Sequence, residues 1–74
     1  MANIELDNRG LQPPEPMVRI LSALSELDDD AELVALMDRD PLLLYPELER
    51  RGYAATLRPE QDWFVLTIRK IEAQ

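Results

Sequence analysis

The chain has 74 residues, a formal net charge of −7, no cysteine and no histidine, two glycines and six prolines. That length holds one small core, and the missing thiol and imidazole exclude disulfides, cysteine or histidine metal centres, thiol relays and the commonest nucleophile–base pairs. Fifteen acidic against eight basic residues oppose binding to nucleic-acid phosphates and to anionic membranes.

Ile4-Glu5-Leu6-Asp7 alternates apolar and acidic residues, the pattern of a short half-buried strand. Asn8-Arg9-Gly10 ends it, with Gly10 free to take a positive φ. Pro13, Pro14 and Pro16 then precede Met17, Ile20, Leu21, Leu24 and Leu27, which form one helical stripe. Proline is tolerated only in a first helical turn, so the spacing predicts a helix from near Pro14 to near Leu27. Asp28-Asp29-Asp30 closes it as a solvated acidic turn. Its spacing lacks the alternating ligands and central glycine of a calcium loop.

Glu32-Leu33-Val34-Ala35-Leu36-Met37 is nearly continuous in apolar residues and reads as a central strand with neighbours on both sides. After Asp38 and Arg39, Asp40 is a good N-cap and Pro41 a good first helical residue, which predicts a second helix from about Pro41 to Arg51 ended by Gly52. Pro46 inside that span predicts a kink or a 3₁₀ opening turn. Tyr53–Leu57 and Trp63–Arg69 read as the strands of a hairpin turning at Arg58-Pro59-Glu60-Gln61. The order βαβαββ, with right-handed crossovers, gives an α/β (α+β) two-layer sandwich: a four-stranded mixed sheet with two helices on one face. Residues 1–74 read as a single domain, and the opposite sheet face is left open, with Trp63 and Val65 on it.

No apolar run approaches the roughly 20 residues of a membrane span, and the start lacks the basic and apolar regions of a secretion signal, so a cytoplasmic setting is expected. Seven acids (Glu5, Asp7, Glu15, Glu26, Asp28, Asp29, Asp30) against Arg9 and Arg19 concentrate the negative charge in residues 1–30. Arg50, Arg51, Arg58, Arg69 and Lys70 form the opposing basic set, a candidate patch for an acidic partner.

Leu6-Asp7-Asn8-Arg9-Gly10-Leu11 followed by Pro14-Glu15-Pro16 resembles the opening of the TusA/SirA-type sulfur carriers. In those proteins a strand ending in Leu-Asp-x-x-Gly-Leu leads into Cys-Pro-x-Pro at a helix start. Asp40-Pro41 and Thr67-Ile68-Arg69-Lys70 extend the likeness over most of the chain. The resemblance implies the carrier fold, but Pro13 stands where the carriers have the cysteine that bears a persulfide. Without a thiol, sulfur relay is excluded. The chain is closer to a related uncharacterised family with this proline-rich opening, whose members occur alone or fused to redox-associated domains. That implies an accessory role beside another protein or a fused redox-associated domain.

Five residues are candidates for recognition. Arg9 on its turn can clamp a carboxylate or phosphate, or can pair with Asp7 or Glu15 and fix the turn. Glu15 suits the helix dipole. Asp38 and Arg39 lie at the carboxyl end of the central strand, where open α/β sheets place ligands, and Arg39 is expected to share that rim with Arg9. Trp63 is a candidate hot spot on the open face, or packs across the hairpin. No cofactor or metal is expected. The first reading is a non-enzymatic protein-interaction module linked to redox or sulfur metabolism. The alternative is a small-ligand or anion-sensing domain using Arg9 and Arg39. Acid–base catalysis by Asp7, Glu15 or Asp38 ranks third, for want of a predicted deep pocket.

Overall fold

The structure is a computed structural model and describes residues 2–71; the ends of the 1–74 domain lie outside that span. The alternating opening segment forms strand β1 (Ile4–Asp7), the prolines lead into helix α1 (Glu15–Leu24), and the apolar run forms β2 (Glu32–Met37). Helix α2 (Leu44–Arg50) and the hairpin strands β3 (Tyr53–Pro59) and β4 (Phe64–Lys70) complete the expected order. The sheet runs β1-β2-β4-β3. β1 and β2 are parallel, and β4 is antiparallel to both β2 and β3. β2 is therefore central, as its apolar run predicts, with β1 on one side and β4 on the other.

Both helices cover one face, α1 packing over β2 and α2 over β3. Period-two burial follows from that one-sided cover. Leu33, Ala35 and Met37 of β2 and Leu66 and Ile68 of β4 are buried beneath Ile20 and Leu24 of α1 and Leu44 and Leu48 of α2. Each fully buried Leu or Ile contributes about 1.5–3 kcal/mol of hydrophobic stabilisation. Residues of the other parity, Val34, Leu36, Val65 and Thr67, are half-buried on the open face.

Three boundaries differ from expectation. α1 stops at Leu24, not near Leu27, because the chain tightens into i→i+3 bonds: Glu26 N–H donates to the Ala23 carbonyl at 3.0 Å and Leu27 N–H to that of Leu24 at 3.2 Å. Leu27 still packs on the core. α2 begins at Leu44, not Pro41, and Asp40 is not its N-cap; the N-cap is Leu43, with no side-chain bond. Leu42 N–H donates to the Asp40 carbonyl and Leu44 N–H to that of Pro41, each at 2.9 Å, so these residues form a turn. The reason is Pro46. A helix begun at Pro41 would bury that proline in its interior, whereas a start at Leu44 puts it in the first turn, where no N–H is needed.

The hairpin is also longer than expected. Pro59 pairs with Phe64, and Glu60 N–H donates to the Trp63 carbonyl at 2.8 Å, so the turn spans residues 60–63 and Trp63 falls just outside β4. β3 is an edge strand, which tolerates the missing donor of Pro59.

Candidate functional site

Parallel β1 and β2 end at the same edge of the sheet, so the segments that follow them, residues 8–14 and 38–43, lie side by side. They enclose a groove of about 300 Å³. One wall is Leu11, Pro13, Pro14, Pro16 and Met17; the other is Pro41, Leu42, Leu43 and Leu44, with Met37 between them. Proline carries no N–H, so the first wall offers few donors and is stiff as well as apolar. Leu42 and Leu43 are 68% and 80% exposed. They are adjacent large apolar side chains left in water at the rim of the groove. Asp38, Arg39 and Asp40 are the charged part of the lining.

Asn8 locks the two walls together. It is 1% exposed, the one polar residue among the buried ones described. Its backbone N–H donates to the Leu36 carbonyl at 2.9 Å and so continues the pairing of β1 with β2. Nδ2 donates to the Pro16 carbonyl at 3.2 Å and to Met37 Sδ at 3.6 Å, while Oδ1 accepts from Arg19 Nη1 at 3.0 Å. Both ends of the amide are used, as burial requires. Gly10, at φ +82°, turns the chain back and donates its N–H to Asp38 Oδ2 at 2.6 Å, a second tie between the segments.

Arg9 is occupied. Its Nε and Nη2 bond to the two carboxylate oxygens of Asp7, each at 2.9 Å, and its backbone N–H donates to Asp7 Oδ1 at 3.1 Å. These bonds hold the Asp7 carboxyl well below its usual range, at about 2. The guanidinium also stands 5.1 Å from the centroid of the Trp63 ring. Asp7, Arg9 and Trp63 thus form one cluster on the open-face side of the sheet edge, whereas Arg39 lines the groove on the helix side. Of the two arginines expected to share the rim, Arg39 lines the groove and Arg9 does not, while Asp38 lines it and also binds the Gly10 N–H. Glu15, the first residue of α1, is exposed and makes no ion pair among the described residues.

Residues 5–70 match the family described as Uncharacterized conserved protein (DUF2249). The chain belongs to the DUF2249 family. No curated protein and no solved structure matches it. The matched span of this DUF2249 chain runs from β1 into β4 and includes both walls of the groove.

Elsewhere the basic set is largely neutralised by neighbours. Arg50 and Arg51 bind Glu47 at 2.6 and 2.7 Å, Arg58 binds Glu60 at 3.0 Å, and Lys70 binds Asp29 at 3.1 Å. Tyr45 donates its hydroxyl to Asp40 Oδ1 at 2.8 Å; burial and that acceptor raise the phenol to about 12. Among the described residues, no three acidic side chains gather into a metal-holding group, and no helix is long and apolar enough to cross a membrane.

Sequence reasoning missed the groove and Asn8. Leu42-Leu43-Leu44 carried a usable signal, since at about 3.6 residues per turn three successive side chains cannot share one helix stripe. Asn8 carried none: an asparagine in Asn8-Arg9-Gly10 reads as a turn former, and its burial comes from segments distant in sequence.

Proposed function

We propose that this DUF2249 chain is a non-catalytic docking module whose groove receives an apolar segment of a partner protein. The observation that carries the reading is the pair Leu42 and Leu43, left 68% and 80% exposed beside a wall of prolines. Burying two leucines on association supplies roughly 3–6 kcal/mol before the costs of association. The net charge of −7 and the rim acids Asp38 and Asp40 favour a partner segment flanked by basic residues. A role beside redox or sulfur proteins rests on the resemblance of Leu6 to Leu11 and the proline opening to the sulfur carriers, whose cysteine is Pro13 in this chain. The non-catalytic reading rests on the absence of histidine and cysteine and on the apolar lining.

Anion sensing through Arg9 and Arg39 is the weaker reading, because Asp7 already holds Arg9 in bidentate fashion. An incoming anion would have to displace a carboxylate tethered two residues away.

The test is capture from native extract with immobilised wild-type chain, followed by mass spectrometry and a direct titration with the purified protein found. A stoichiometric partner whose affinity falls at least about tenfold with Leu42→Asp/Leu43→Asp, and falls with added salt, supports the reading. A partner that binds the double variant as well as the parent overturns it.

A further inference from the structure

The open sheet face carries a second surface, independent of the groove. No element of the described chain covers it, and its centre is mostly apolar: Val34 and Leu36 of β2 lie beside Thr67 and Val65 of β4, with Trp63 at one end. Its charges are sorted by strand. On this face the β1 edge carries Glu5 and Asp7, and the β3 edge carries Arg58. Between them Glu32 of β2 is the cross-strand neighbour of Arg69 of β4, yet neither side chain makes an ion pair among the described residues. Asp7 is held by Arg9 and Arg58 by Glu60, so the charges left without an ion pair among the described residues are Glu5 and Glu32 on the β1–β2 half and Arg69 on the β4–β3 half.

We propose that this face is the contact between two copies of the chain, stacked sheet on sheet about a two-fold axis parallel to the strands. Such an axis exchanges β1 with β3 and β2 with β4 across the interface and leaves each cross-strand row facing itself. Glu32 then faces Arg69 of the second copy and Leu36 faces its Val65; symmetry makes each contact twice, and Glu32 with Arg69 is the charged pair that carries the complementarity. Twist of the sheets rotates the rows by about 30° without moving acids off bases. The other in-plane two-fold, perpendicular to the strands, sets β1 over β1 and brings Glu5 and Asp7 against themselves. Charge therefore selects one of the two arrangements.

Size sets the strength. Four strands about 4.8 Å apart, of four to seven residues at about 3.3 Å each, give a footprint on the order of 400 Å². Two copies would bury roughly 800 Å² in total, below the size of a standard specific interface, so the dimer is weak, reversible and appears only with rising concentration.

Sedimentation velocity over a concentration series tests this. The wild type is expected to rise from 8.5 kDa toward twice that mass. Arg69→Glu and Glu32→Arg, each placing like charges opposite one another, are expected to move the midpoint at least about tenfold to higher concentration, and the double swap Glu32→Arg/Arg69→Glu to restore it. Both positions lie on the uncovered face, and circular dichroism of each variant checks that it folds. A monomer at every concentration, or a dimer indifferent to the single swaps, overturns the proposal. So does a dimer lost only with Leu42→Asp/Leu43→Asp, which would place self-association in the groove. The first two results do not bear on whether the groove binds a different protein.

Discussion

Asp7 and Arg9 show how one residue pair can consume a site that looks open in the sequence. Their carboxylate and guanidinium are two positions apart on a turn, close enough for two parallel bonds at 2.9 Å. The side chain of Asp7 is 56% exposed, so the pair contributes modestly to stability, but its effect on titration is direct. Arg9 lowers the Asp7 carboxyl from 3.8 to about 2, first through the side-chain bonds and then through its backbone N–H. A depressed folded-state value stabilises the fold at pH above the unfolded value, and that contribution disappears as pH falls through the folded one. The Asp7 carboxyl is expected to titrate near 2 by NMR, and the stability difference between wild type and Asp7→Asn to be flat above pH about 5 and to narrow between about 4 and 2. A midpoint near 3.8 would show that the clamp does not form in solution.

The turns that end the elements depend on backbone conformation more than on side-chain contact. Gly52 follows α2 at φ +85°, and a Cβ built there meets nothing within 4 Å. The cost of Gly52→Ala is therefore purely the left-handed backbone, about 1–2 kcal/mol, with no steric term to add. A urea midpoint unchanged by this substitution would mean that the residue relaxes out of that conformation. Gly52 is also an instance of what could be read without a structure. The element order, the central place of β2, the two helices on one face and the positive-φ role of Gly10 and Gly52 follow from local patterns: alternation, an apolar run, proline and glycine positions. The start of α2 does not, because Asp40-Pro41 and Pro46 give conflicting signals, and the steric cost of an interior proline decides for Pro46. The groove was less legible still. Its walls come from residues 11–17 and 37–44, and the exposure of Leu42 and Leu43 follows from the displaced helix start. Arg39 and Arg9 were expected on one rim because both adjoin strand ends. Arg9 instead turns to Asp7 and Trp63, a partner choice that strand-end position alone does not specify, while Arg39 lines the groove.

Across the whole molecule the margin is narrow, since at roughly 0.05–0.15 kcal/mol per residue a chain of this size has about 4–11 kcal/mol of stability. Leucines on the two sides of that margin should behave oppositely. Leu33 is fully buried in the central strand, and Leu33→Ala is expected to cost about 2–5 kcal/mol, enough to leave much of the population unfolded if the total lies at the low end. Leu43 is 80% exposed, and Leu43→Asp is expected to change stability by less than about 0.5 kcal/mol while exchanging an apolar groove wall for a charged one. Urea denaturation checks both, with an unchanged slope confirming that each variant unfolds from the same native state. The contrast matters for the docking reading. If Leu43→Asp cost as much as Leu33→Ala, Leu43 would belong to the core in solution. The groove would then lose the exposed wall on which partner capture depends.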